Sequence, residues 1–136
     1  MKNKNETYEE LKAQVKKGSI PAAFALAEGF KWGSFGAPDP NRAARMYRYC
    51  CRSANKKTAA LGFYNLGNLY YYGFLLEEKE REKALRLAFN CYMQSALLAH
   101  TPEALCRLGD MYRYGQFVEQ SEDTAMNLYV RANQGA

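Results

Sequence analysis

Apolar and polar residues along this chain are arranged with a helical period, and the arrangement occurs three times. The segment Leu66-Gly67-Asn68-Leu69-Tyr70-Tyr71-Tyr72-Gly73 returns as Leu108-Gly109-Asp110-Met111-Tyr112-Arg113-Tyr114-Gly115. A weaker copy is Leu26-Ala27-Glu28-Gly29-Phe30-Lys31-Trp32-Gly33. The leading leucines lie 40 residues apart (26 to 66) and 42 apart (66 to 108). A period of that length is one supersecondary unit, and such a unit buries its apolar face only by stacking on its neighbours.

Each unit predicts two helices. The first opens near a hydroxyl cap (Ser19, Thr58 or Thr101) and runs to Gly33, Gly73 or Gly115, where a left-handed residue would end it. The second carries alanine four residues before tyrosine, on one face, as Ala43/Tyr47, Ala88/Tyr92 and Ala125/Tyr129. Small pairs follow at Cys50-Cys51, Ser95-Ala96 and Ala132-Asn133, which would let helices approach closely. From terminal glycine to alanine the spacing is 10 residues in units one and three but 15 in unit two. Asp39 and Ser121 cap the second helix in units one and three. In unit two the charged run from Glu77 to Lys83 predicts an earlier start and a helix longer by about one turn. Ahead of the units, Thr7-Tyr8-Glu9-Glu10 has capping-box spacing, with Leu11 and Val15 on one face and Gly18 as a stop. The expected organisation is a single domain: a capping helix over 1–18, then units over 19–57, 58–99 and 100–136.

Composition agrees with a packed helical domain. Of 136 residues, 48% are apolar and 14% aromatic, with 11 Tyr and only 4 Pro, which argues against disorder. The net charge of +5 is uneven: no acid falls between Asp39 and Glu77, whereas Arg42, Arg45, Arg48, Arg52, Lys56 and Lys57 do. Residues 58–76 carry no charge, yet Asn65, Asn68 and three glycines there read as a buried helix rather than a membrane span. The first residues lack the apolar stretch of a secretion signal, so the expected location is cytoplasmic. Cys50, Cys51, Cys91 and Cys106 form no CxxC pair and read as reduced thiols.

The small residue, Leu-Gly, Tyr and Gly spacing, followed by Ala and Tyr four apart and a small pair, resembles the Sel-one-like repeat, a relative of the tetratricopeptide repeats. The resemblance spans residues 18–136, with unit three nearest the pattern and unit one departing at Ala27 and Phe30. It implies an all-α fold, an α/α solenoid of antiparallel helix pairs in a right-handed superhelix. It also implies an adaptor that binds a protein or peptide and implies no catalytic residues; the sequence itself offers no cofactor or metal motif, so none is expected.

By the same analogy the first helix of each pair lines a concave groove. Helical geometry turns the residues two and five after the leucine outward: Glu28, Asn68 and Asp110, then Lys31, Tyr71 and Arg113. Phe24, Tyr64 and Cys106 precede the leucine by two, and Trp32, Tyr72 and Tyr114 stand beside the terminal glycine. Aromatic rings flanked by both charge signs suit a binding face. Trp32, Tyr72 and Tyr114 are read first as packing in the core or between repeats, and Lys31, Tyr71 and Arg113 as the exposed set. Related domains that clamp a carboxylate terminus carry Lys, Arg and Asn in the groove, whereas Glu28 and Asp110 here would repel one.

Other function classes have weaker support. The single histidine, His100, lies at a unit boundary, and Cys106 reads as a small buried hydrophobe; no phosphate loop, catalytic carboxylate pair or metal-ligand spacing occurs. Arg42, Arg45, Arg52 and Lys56 form a basic stripe that a nucleic acid could use, against the plainer reading of a solvated face. The last helix, with Leu128 and Val130, offers an apolar face for self-association.

Overall fold

Glycine ends the first helix of every unit. Gly33, Gly73 and Gly115 have φ of 78°, 80° and 65°, the left-handed region where a side chain would clash with the backbone. The structure, a computed structural model, describes residues 3–134. Its helices are α1 (Lys4–Lys16), α2 (Ile20–Trp32), α3 (Pro40–Cys51), α4 (Lys56–Tyr71), α5 (Arg81–Leu98), α6 (Pro102–Tyr114) and α7 (Glu122–Asn133), with a single 3-10 turn at Glu78–Glu80. The main contacts join sequence neighbours, so α2/α3, α4/α5 and α6/α7 are stacked pairs and α1 covers α2. No strand occurs among the described residues. The architecture is an α/α solenoid.

Caps show how far local sequence controls the helix starts. The side chains of Ser19, Asp39 and Ser121 accept from the backbone N–H of Ala22, Arg42 and Thr124, as their spacing predicts. Two starts differ. Asn3 Oδ1 accepts from the Glu6 amide at 2.9 Å, so α1 begins at Lys4 and the capping box at Thr7 is not used. Likewise Asn55 Oδ1 accepts from the Thr58 amide at 3.0 Å, which puts Thr58 inside the first turn of α4. In both cases an asparagine about one turn upstream satisfies the free amides first. Thr101 does precede α6, but its hydroxyl lies 3.3 Å from the Ser95 carbonyl and 3.2 Å from that of Ala99, tying α6 to the end of α5.

The long second helix of unit two is present. α5 has 18 residues against 12 in both α3 and α7, and starts seven residues before Ala88, where α3 starts three before Ala43. The small pair at Cys50-Cys51 brings α3 against α4: a Cβ on Gly62 would stand 2.9 Å from the Cys51 nitrogen. Two apolar clusters form the core. One gathers Leu26, Ala27, Phe30, Tyr47, Leu66 and Leu69; the other gathers Leu85, Ala88, Tyr92, Leu108 and Met111.

Candidate functional site

Four side chains per unit define the exposed side of the first helices α2, α4 and α6. The structure sorts them into joints and surface.

The residues two after the leucine are acceptors for the tyrosine of the second helix of the same pair, buried in units one and two and half-buried in unit three. Tyr47 donates to Glu28 Oε1 at 2.7 Å, Tyr92 to Asn68 Oδ1 at 2.6 Å and Tyr129 to Asp110 Oδ1 at 2.5 Å. Asn68 and Asp110 are therefore half-buried rather than turned out to solvent; only Glu28 is exposed. A helical wheel places these positions opposite the core but does not show that a tyrosine from the next helix reaches them. Burial, then the Glu28 carboxylate, holds the Tyr47 phenol far above its ordinary range, and burial with Asp110 pushes Tyr129 up to about 12. Glycine makes room for the ring. A Cβ on Gly67 would come within 2.8 Å of the Tyr92 ring, and one on Gly109 within 2.6 Å of the Tyr129 ring.

The residues five after the leucine join successive units. Tyr71 donates to Gln116 Oε1 at 2.8 Å, and Lys31 Nζ sits 5.0 Å from the centre of the Phe74 ring. Phe74 and Gln116 each directly follow a terminal glycine. Arg81 adds to the second joint, donating to the Tyr71 carbonyl at 2.6 Å with its guanidinium 5.6 Å from the Tyr71 ring centre. Lys31 and Tyr71 are half-buried in consequence, and Arg113 alone of this set is exposed. The expectation that all three face solvent is corrected. Phe74, Gln116 and Arg81 were not singled out from sequence; the signal was that the residue after each glycine holds one register position.

Phe24 and Tyr64 pack on the same tyrosines, with ring centres 6.2 Å from Tyr47 and 6.0 Å from Tyr92. Cys106 holds the corresponding half-buried place on α6.

Trp32, Tyr72 and Tyr114 remain. They are 61%, 55% and 64% exposed, although Trp32 also meets the Phe74 ring of the next unit edge-on, with ring centres 5.9 Å apart. Each stands where its helix ends, and polar partners orient two of them. Glu28 Oε2 accepts from Trp32 Nε1 at 3.1 Å, Lys31 lies 4.7 Å over the indole, and Arg113 lies 5.6 Å from the Tyr114 ring centre. Of the four sets, this is the one exposed in all three units. Beside it Arg107 and Asp110 form a 2.6 Å ion pair.

No group of three or more candidate metal ligands occurs among the described residues. Arg42 and Arg45 are exposed on α3, Arg52 is exposed just past its end and Lys56 opens α4; Arg42 is paired with Asp39 at 3.4 Å. None of the helices is long and apolar enough to cross a membrane.

A Sel1 repeat protein from Oxalobacter formigenes has a similar structure, with a TM-score of 0.62 and 25% identity over 92% of this chain and 86% of that one. A second similar structure is c5321, described as a protective antigen present in uropathogenic Escherichia coli strains displaying an SLR fold. It has a TM-score of 0.39 and 18% identity, covering 90% of this chain but 32% of that one. No curated protein matches the sequence. The Sel1 repeat profile matches residues 20–53, 64–98 and 102–135, and the chain belongs to the Sel1 repeat family.

Proposed function

We propose that this chain is a non-catalytic adaptor that binds a protein or peptide across the exposed side of α2, α4 and α6, with Trp32, Tyr72 and Tyr114 as its anchors. Sel1 repeat proteins generally serve as protein-interaction scaffolds, and the family assignment supports that class. The observation that carries the reading is the row of three exposed rings at one register position, one per repeat. Large rings left in water gain most when a partner desolvates them, and a repeat array presents them at regular intervals. Glu28, Lys31, Arg107, Asp110 and Arg113 beside the row would set the orientation of the bound chain rather than its affinity. A reducing location such as the cytoplasm suits the four free thiols.

The test replaces the row. The triple variant Trp32→Ala, Tyr72→Ala, Tyr114→Ala should lose partner recovery from native lysate while keeping wild-type helicity and melting. Undiminished recovery would remove this face from the function. A nucleic-acid role for the α3 arginines has less support, because Arg42 is held by Asp39 and the arginines flank an apolar groove.

A further inference from the structure

The groove beside those arginines lies at the α1 end of the stack. Its volume is about 250 Å³. The floor is apolar, from Val15 of α1, Leu26 and Phe30 of α2, and Met46 of α3. Around it stand Lys12, Lys16, Arg42 and Arg45, and no carboxylate is among the lining residues. Lys16 and Arg45 are exposed and have no ion pair among the described residues. Lys12 and Arg42 lie over aromatic rings of the groove, 5.0 Å from the Tyr8 centre and 5.2 Å from that of Phe30. A surface of this kind fits an acidic helix with large apolar side chains.

This chain carries such a helix at the other end. On α7, Glu122, Met126 and Val130 follow one another at four-residue intervals, and so line one side of the helix with Asp123 next to them. Met126 is 56% and Val130 53% exposed. Neither Glu122 nor Asp123 has a cation partner among the described residues. The two acids also suit a helix N-terminus, which explains them but not the exposed apolar side chains. Met126 follows Ala125 as Ala44 follows Ala43 and Phe89 follows Ala88. Ala44 lies in the core with Leu66 and Leu69 of the next unit, and Phe89 packs 6.0 Å from Tyr112 of the next unit. Met126 thus occupies a register position that is otherwise packed.

We infer that a second copy of this chain docks its α7 ridge, Glu122/Asp123 with Met126 and Val130, into the basic groove between α1 and α3. One molecule cannot make the contact with itself, since α7 packs on α6 and α1 on α2 at opposite ends of the stack. Ridge and groove are different surfaces, so the contact is heterologous: it closes only if a ring or reciprocal dimer geometry allows, and otherwise adds molecules head to tail. It leaves the aromatic row open.

Sedimentation at rising concentration tests this, with the full chain and two charge reversals: Lys16→Glu with Arg45→Glu in the groove, and Glu122→Lys with Asp123→Lys on the ridge. Circular dichroism checks that each variant folds. The wild type should show an average mass that rises at least about twofold from micromolar to millimolar protein and falls back with added salt. Each reversal should leave a monomer, and mixing the two variants should restore association. A monomeric wild type throughout, association that survives either reversal, or no recovery on mixing overturns the proposal. So does a wild type that stays monomeric but binds single-stranded RNA through Lys16 and Arg45. If a reversed variant fails to fold, Val130→Asp, at an exposed position, replaces it and should likewise give a monomer.

Discussion

The Tyr92 hydroxyl, buried on the second helix of the middle unit, donates at 2.6 Å to Asn68 Oδ1 on the first helix. The same register pair closes the other units, Tyr47 with Glu28 and Tyr129 with Asp110. Removing the hydroxyl leaves an acceptor next to a buried ring without its donor. Tyr92→Phe should therefore cost about 1–2 kcal/mol of stability, read from the shift of a denaturant midpoint at unchanged slope. Tyr92→Phe with Asn68→Ala should cost less than the two single changes summed, because they share one interaction. Strict additivity would mean that the bond contributes nothing.

In units two and three the tyrosine ring stands against a glycine, a position that Ala27 holds in unit one. Gly67→Ala and Gly109→Ala should each destabilise by about 1–3 kcal/mol, since the added Cβ falls 2.8 Å and 2.6 Å from ring carbons. Ordinary helix propensity predicts the opposite sign, because alanine favours helix over glycine by about 1 kcal/mol. The sign of the midpoint shift decides between clash and propensity.

Alkaline pH should unfold the protein in a defined window. Tyr129 is raised from 10.0 to about 12 by burial and then by its bond to Asp110. A group whose folded value is raised gives stability that is whole below its ordinary value and lost as pH rises through the folded one. The wild type should thus lose stability between pH 10 and about 12, and Tyr129→Phe should show a shallower decline there. Equal slopes in the two proteins would contradict the assignment.

Burial raises Cys50 and Cys91 to about 11, and burial with Cys91 nearby raises Cys51 to about 12, all from 9.0. Native protein near neutral pH should hold roughly a hundredfold less thiolate at Cys50 and Cys91, and roughly a thousandfold less at Cys51, than unfolded protein. Labelling with an aromatic disulfide, followed by peptide mapping, should find all three protected until denaturant is added. Rapid native labelling of Cys51 would contradict the packing of α3 against α4.

Much of the fold could be read from the chain because its signals are local. Glycine at 33, 73 and 115 stops a helix whatever surrounds it, and Ser19, Asp39 and Ser121 cap within their own first turn. The long α5 followed from its charged start. Competition between neighbouring caps was not legible: Asn3 and Asn55 start their helices ahead of Thr7 and Thr58. The site was harder because it depends on what reaches across. Periodicity shows that Asn68 and Tyr71 point away from their own helix core. It does not show that Tyr92 and Gln116 meet them there. The same limit affects Trp32, Tyr72 and Tyr114. They sit at helix ends and remain more than half exposed, with Trp32 alone meeting a ring of the next unit, Phe74, edge-on.

Photocrosslinking from single positions tests the aromatic row most directly. A benzoylphenylalanine at Tyr72, in the middle of the row, is compared with one at Arg48, which is exposed on α3. The account predicts a discrete crosslinked partner from position 72 that is lost when Trp32 and Tyr114 are changed to alanine, and none from position 48. A partner that crosslinks from position 48 and not from 72, or that persists at 72 without the flanking rings, would contradict it.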